Sequence, residues 1–170
     1  QGVPEAIAAA SCPFESLDGA VATVIATIQS GVPVARIELL DDTQIDAVNR
    51  YSKLNHPVRD TLLLEFHGTP AGVKEQAEAV QALARENGGG EFRWTADENE
   101  RRKLWQARHD AAYANKALRP GAEIWATDVC VPISRLAQCI AETKADLKKS
   151  FLIAPIVGHV GDGNFHVTFV

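Results

Sequence analysis

Two histidines, His159 and His166, enclose the segment Val160-Gly161-Asp162-Gly163-Asn164-Phe165. Asp-Gly is a favoured centre for a two-residue type I′ turn, because both central positions need positive φ. Placing Asp162-Gly163 there sets Gly161 against Asn164, Val160 against Phe165 and His159 against His166. Directly opposed hairpin residues share a face, with Cβ atoms roughly 4.5–5.5 Å apart. The two imidazoles then stand side by side with Val157 and Thr168, while Ile156, Val160, Phe165, Val167 and Phe169 take the opposite, apolar face. Such a pair can share one divalent metal, or can be a metal-free cross-strand pair. A metal site also wants a third ligand, usually a carboxylate where one position stays open. Asp162 is nearest in sequence but points away from the turn in this register.

A second candidate lies in NERRKLWQARHDAAYANKAL. Leu104, Trp105, Ala111 and Ala112 stand at i−4, i−3, i+3 and i+4 from Arg108, which puts its guanidinium in the apolar stripe of a helix. A guanidinium keeps its charge, so burial demands an anionic partner. That partner is either a protein carboxylate such as Asp128 or the carboxylate of a ligand, for which the planar fork is well shaped. Arg101 and Arg102 are expected in solvent, and His109 lies one step off the stripe. His56 and His67 have no spacing partner and are expected on the surface or on a strand. Trp94 and Trp125 are expected in the core.

These residues need a scaffold, and the pattern along the chain supplies one. Residues 15–30 carry Leu17, Val21, Val24, Ile25 and Ile28 at helical spacing, with Gly31 as the stop. PVARIELL alternates Ala35, Ile37 and Leu39 against Arg36 and Glu38, a strand with one wetter face. Asp42-Thr43 can cap a helix holding Ile45 and Val48, and TLLLEFHG is a second strand. Thr69-Pro70 opens a helix with Val73, Ala77, Val80 and Leu83 on one stripe, ended by three glycines from Gly88. A short strand EFRW, a long helix over 97–118, a strand EIWATDVCV, an amphipathic helix from Ile133 and the final two strands complete the order. The glycine-rich phosphate loop of a dinucleotide fold does not follow a first strand. The expected class is therefore α+β: a largely antiparallel sheet with helices packed on one face, ferredoxin-like elements, and the other face free for function.

The chain has 170 residues, 46% of them hydrophobic, enough for one sizeable core in one domain. A net charge of −5 without a basic cluster argues against nucleic acid. No run approaches the roughly 18 apolar residues of a membrane helix. Cys12, Cys130 and Cys139 are an odd number without paired spacing, so buried structural thiols and a reducing compartment are expected. The sequence contains no methionine and stops within an apolar strand-like run, which points to a processed product or a fragment.

The runs ARIELLDD, NRYSKLN, TLLLEFHGT, LWQARHDAAYA, TDVCVPISRL and IVGHVGDGNFH, taken in order, resemble the C-terminal substrate domain of the FAD-dependent D-lactate dehydrogenases. That superfamily includes glycolate oxidase subunits and D-2-hydroxyglutarate dehydrogenase. The likeness covers nearly the whole chain and identifies residues 1–170 as part of that substrate and metal-binding domain. It implies that His159 and His166 ligate a divalent metal, Zn or Mn, and that Arg108 holds the substrate carboxylate. It further implies that Thr168 contacts substrate and that Asn164 approaches the FAD. The activity implied is oxidation of a D-2-hydroxy acid to the 2-oxo acid, with hydride passing to the flavin.

The resemblance puts the third metal ligand and the base, a Glu-His pair, beyond Val170, and the flavin-binding domain before Gln1. No catalytic residue is then expected within the fragment, which alone should be inactive. Relatives acting on hydroxyglutarate carry a lysine where this chain has Ala126, so a monocarboxylate such as D-lactate is expected. A glycolate oxidase subunit and a non-catalytic metal- or protein-binding module remain open alternatives. The expected setting is cytoplasmic or peripheral at the inner face of a membrane in a bacterium, and mitochondrial in a eukaryote. A homodimer is possible, and the electron acceptor is not specified.

Overall fold

The computed structural model describes residues 3–170. The chain opens with β1 (Ala6–Pro13), α1 (Leu17–Gln29), β2 (Val34–Leu40), α2 (Asp42–Ser52), β3 (Thr61–Gly68), α3 (Pro70–Glu86) and β4 (Arg93–Thr95). It continues with α4 (Glu98–His109), α5 (Ala111–Ala117), β5 (Trp125–Ala126), β6 (Val129–Cys130), α6 (Ile133–Leu147), β7 (Ile156–Gly158) and β8 (Asn164–Phe169). The strands form one antiparallel sheet in the order β4-β1-β3-β2-β7-β8-β5, with β6 also paired to β8. The β4-β1-β3-β2 half, with α1 and α3 as its crossovers, is the ferredoxin-like arrangement expected, and β7 and β8 extend it beyond β2.

Helices α1, α3 and α6 pack on one face, where Ala8, Ala10, Leu39, Leu62, Leu64, Ile156 and Phe165 meet Val21, Val24, Val73, Val80, Leu136 and Ile140. The opposite face is not left free. There α2, α4 and α5 set Ile45, Val48, Trp105, Ala107 and Ala114 against Ala9, Leu40, Leu63 and Val157. The physical reason is visible in β1–β3, whose apolar side chains alternate onto both faces and so require cover on both.

Strand β1 is the element that periodicity does not announce. Ala8, Ala9 and Ala10 are fully buried, and their small side chains let helices approach on both sides of the sheet. The helix expected over 97–118 is two helices meeting at Asp110. Asp110 leaves the stripe because its carboxylate is held by the Ser52 hydroxyl of α2 and by the Gln106 amide, 2.8 Å away. The strand expected over EIWATDVCV is likewise two short strands, because Thr127 stands between them and takes over the ladder. Its N–H donates to Val167 O at 2.9 Å, and its hydroxyl accepts from Val167 N at 3.0 Å.

Trp94 and Trp125 lie on the surface rather than in the core, Trp125 on edge strand β5. Of the three thiols only Cys12 is buried, and burial pushes it up to about 11; Cys130 is exposed and Cys139 half-buried. No helix among the described residues is long and apolar enough to cross a membrane.

Where α2 begins, a polar cluster ties the two helical layers together. Asp41 caps α2 by accepting from Gln44 N at 2.8 Å, one residue before the cap expected from sequence. Lys144 of α6 reaches Asp41, Asp42 and Asp60 at 3.5, 2.9 and 3.1 Å. Burial pushes the Asp41 carboxyl up to about 6 against the pull of Lys144. Burial alone would lower Lys144, but the three carboxylates outweigh it and hold the ammonium above its ordinary value. Lys144→Met strands the buried Asp41, and removing one member of a buried pair costs roughly 3–5 kcal/mol. At about 2–4 °C per kcal/mol for a chain of this size, thermal unfolding of K144M should fall by at least about 6 °C. Asp42→Asn, at a half-exposed carboxylate, should shift it far less. Equal shifts would contradict this account of the cluster.

Candidate active site

Strand β2 delivers the centre of the site. Its residues Arg36, Glu38 and Leu40 share the face that α4 covers, so Glu38, expected on a wetter face, is fully buried. Helix α4 is clamped to this row at two successive points. The Arg36 guanidinium lies 3.6 Å from the centre of the Trp105 ring, and Glu38 Oε2 accepts from Arg108 Nε at 2.9 Å. Three residues of helix advance about 4.5 Å and two of strand roughly 6.7 Å, a mismatch the long arginine side chains absorb. The C-terminal end of α4 is fixed from the side through Asp110 and Ser52. Beyond it, α5 is locked to α2 by the buried amide pair Gln44 and Asn115, which exchange two hydrogen bonds of 2.8 and 2.9 Å.

Asp128 is not the partner of Arg108. It is largely exposed and accepts instead from Asn164 Nδ2 at 2.8 Å, while Glu38 supplies the anion for the half-buried arginine. The second oxygen, Glu38 Oε1, lies 2.5 Å from His159 Nδ1. The ring N–H does not point squarely at it, so Oε1 is buried close to the imidazole without an aligned donor. Arg108 Nη2 stands 3.5 Å from His159 Nε2. One buried carboxylate therefore touches both Arg108 and His159.

The connection between the histidines differs from the two-residue turn. Residues Val160–Asp162 form a 3-10 turn and Gly163 alone takes positive φ, at 75°. Asp162 avoids the left-handed conformation that a type I′ turn would impose on it. The ladder consequently pairs Val157, not His159, with His166. That register differs by two residues, and an even shift keeps every side chain on its expected face. The imidazoles still meet, with ring centres 6.3 Å apart and planes nearly perpendicular.

Each imidazole has its Nδ1 beside an acceptor: Glu38 Oε1 for His159, and Thr127 O, at 2.9 Å, for His166. An acceptor at Nδ1 favours the tautomer whose Nε2 carries the lone pair, which is how metal-binding histidines are usually oriented. The pair offers two nitrogen donors on one face, of which His159 Nε2 faces Arg108 Nη2. Among the described residues no group of three or more histidine, cysteine, aspartate or glutamate side chains is placed to hold a metal ion.

The other expected residues are placed less openly. Thr168 follows His166 by two positions on the same face, but it is buried and stands opposite Ala126. The Asn164 amide spends its hydrogens on Asp128 and on Val129 O, at 3.0 Å, which pins β6 to β8. His67 sits on β3 beside Glu65, and His56 lies half-buried in the loop before β3. Glu38 is the residue sequence reasoning missed. An acid inside the run Ile37-Glu38-Leu39-Leu40 and an arginine in an apolar stripe are complementary signals that could have been matched.

The helix-covered antiparallel sheet thus carries an arginine, a buried glutamate and two histidines on one face. The chain belongs to the family of FAD linked oxidases, C-terminal domain, whose pattern matches residues 3–170. It is 53% identical over 169 residues to a probable mitochondrial D-lactate dehydrogenase of Danio rerio, covering 99% of this chain and 34% of that protein. It is 40% identical to the mitochondrial D-lactate dehydrogenase [cytochrome] of Arabidopsis thaliana, covering 98% and 29%. A glycolate oxidase subunit of Bacillus subtilis is more distant, at 27% identity over 91% of this chain and 33% of that protein. The chain thus spans about a third of the length of the curated relatives it matches. The fold recurs in an alkyldihydroxyacetonephosphate synthase, with a TM-score of 0.70 at 13% identity over 99% of this chain and 37% of that one.

Gly163 is the structural key to the histidine pair. A Cβ there would lie 2.1 Å from Val131 O, in a conformation that already disfavours side chains. Gly163→Ala should therefore cost more than the roughly 1 kcal/mol typical of a glycine with incompatible φ. Calorimetry should show a fall in Tm of at least about 2–4 °C. An unchanged Tm would mean the turn is not held as described.

Proposed function

We propose that this chain is the substrate-binding part of an FAD-linked dehydrogenase that oxidises D-lactate, or a related D-2-hydroxy monocarboxylate, to the 2-oxo acid. The observation that carries this is the approach of Arg108 Nη2 to His159 Nε2 at 3.5 Å. A cationic fork beside a nitrogen lone pair suits the neighbouring carboxylate and hydroxyl oxygens of one 2-hydroxy acid. Arg108 binds the carboxylate through its Nη groups, in place of the Nη2 contact with His159, while Glu38 occupies Nε. His159 and His166 would hold a divalent ion, Zn or Mn, through Nε2, and Thr168 and Asn164 border that face.

When bound, the metal supplies Lewis acidity toward the hydroxyl and the flavin accepts the hydride. This chain's own residues fix the position and orientation of the acid and pair its charge. We assign proton removal and completion of the metal site to parts of the protein outside residues 1–170, so that these residues alone are inactive. The mitochondrial D-lactate dehydrogenases among the relatives favour D-lactate over glycolate and a mitochondrial setting.

Turnover of the flavin-loaded full-length protein with D-lactate, L-lactate, glycolate and D-2-hydroxyglutarate tests the reading. D-lactate should be preferred, and Arg108→Met should lower its kcat/KM at least about 30-fold, the loss of a buried charged contact. Preference for glycolate, or unchanged kinetics in R108M, would sink it. His159→Ala and His166→Ala should each release bound Zn or Mn, measured by elemental analysis; retained metal would remove the two-histidine site.

Ala126 stands opposite Thr168, so a lysine introduced there would add a cation on that face. Ala126→Lys should raise the ratio of D-2-hydroxyglutarate to D-lactate turnover. An unchanged or lowered ratio would contradict the monocarboxylate assignment.

A further inference from the structure

We propose that Glu38 is the positioning residue of this site, a buried carboxylate that uses one oxygen to aim the Arg108 fork and the other to set the His159 tautomer. The inference rests on the reading of Arg108 and His159 given above. Glu38 is 0% exposed, and the two groups around its oxygens are Arg108 Nε at 2.9 Å and His159 Nδ1 at 2.5 Å. A carboxylate has two acceptor oxygens and, when ionised, no donor. It can satisfy an N–H from each side at once, which a neutral amide of the same shape cannot do.

The consequence for each neighbour is specific. With Nε engaged, the guanidinium plane is fixed and its Nη edge is turned toward His159, where Nη2 lies 3.5 Å from Nε2. With a carboxylate at Nδ1 and a guanidinium donor near Nε2, both neighbours favour the proton on Nδ1 over the proton on Nε2. His159 Nε2 then carries the lone pair and faces Arg108 Nη2, so that a hydroxy-carboxylate ligand would meet a nitrogen donor and a cation side by side. His166 obtains the same orientation from a backbone carbonyl, Thr127 O. His159 depends on a side chain, so its orientation can be removed by one substitution.

Burial distinguishes this role from a surface ion pair. The Arg108 side chain is 22% exposed but that of Glu38 only 1%, so the carboxylate has no route to water and depends on its two neighbours. The Glu38 side chain stands on the same face as Leu40, next to Arg36, whose guanidinium packs on Trp105 of α4. Both ends of the clamp between β2 and α4 thus converge on the orientation of Arg108.

Glu38→Gln tests the proposal because its amide offers one acceptor and one donor. Whichever way it is flipped, either Arg108 Nε or His159 Nδ1 faces another donor. In nitrogen-15 spectra of the metal-free 170-residue chain, wild-type His159 should show the Nδ1-protonated tautomer, and E38Q should show substantial Nε2 protonation. In the flavin-loaded full-length enzyme, E38Q should raise KM for D-lactate or lower metal affinity by about 10–100-fold, as loss of a supporting partner does. A merely structural role would reduce the folded fraction, lowering apparent kcat while leaving KM, metal affinity and the tautomer of the folded protein unchanged.

If E38Q fails to fold, the double variant Arg108→Met/Glu38→Leu removes the arginine charge and leaves no acceptor at position 38. It should still release the His159 tautomer, whereas R108M alone should retain it. A wild-type tautomer in both Glu38 variants, or in the double variant alone where E38Q does not fold, overturns the proposal. Absence of 2-hydroxy acid oxidation by the wild-type enzyme would instead overturn the function proposed above, while the tautomer comparison still decides the role of Glu38.

Discussion

The contact on which this site depends is a single buried carboxylate shared between an arginine and a histidine. Glu38 reaches the site because β2 alternates, and its row of Arg36, Glu38 and Leu40 faces the helices α2, α4 and α5. An acid without a partner at such a position would be strongly destabilising, and so would Arg108 without an anion. Each relieves the other, and α4 is held against β2 as a result. The interaction that keeps the helix in place also orients the Arg108 guanidinium, so stability and positioning are one arrangement here.

The rest of the fold can be understood as support for that face. The sheet carries apolar residues on both sides, and the layer of α1, α3 and α6 buries one of them completely. This leaves α2, α4 and α5 to cover only part of the other, and the histidines of β8 and of the turn before it occupy the part they leave open. Thr127, between two short strands, reaches β8 through its backbone and its hydroxyl and orients His166 through its carbonyl. Asn164 ties the same segment from the other side. A short irregular stretch that would weaken an ordinary sheet edge serves here to aim an imidazole.

Much of this was legible in the sequence where side-chain pattern and local chemistry agree. Thr69-Pro70 marks the start of α3, and the face assignment of His166, Thr168 and Val157 holds although the turn differs. It holds because the register moved by an even number of residues. The ordered motifs identify the family, which the match over residues 3–170 shows.

What was not legible depended on distant contacts. The alanines of β1 carry no periodic signal, since their value lies in how closely helices approach them. The break at Asp110 is made by Ser52, far away in the chain, and the exposure of Trp94 and Trp125 follows from their places on short edge strands. Glu38 read as solvated because alternation alone assigns polarity to a face and does not know that a helix will cover it.

The most direct test of the account is a crystal structure of the full-length protein with D-lactate bound, with anomalous data collected at the Zn and Mn edges. The account predicts one metal on Nε2 of His159 and His166, the D-lactate carboxylate on the Nη edge of Arg108, and Glu38 touching Arg108 Nε and His159 Nδ1. A metal bound elsewhere, or a carboxylate that does not engage Arg108, would contradict it.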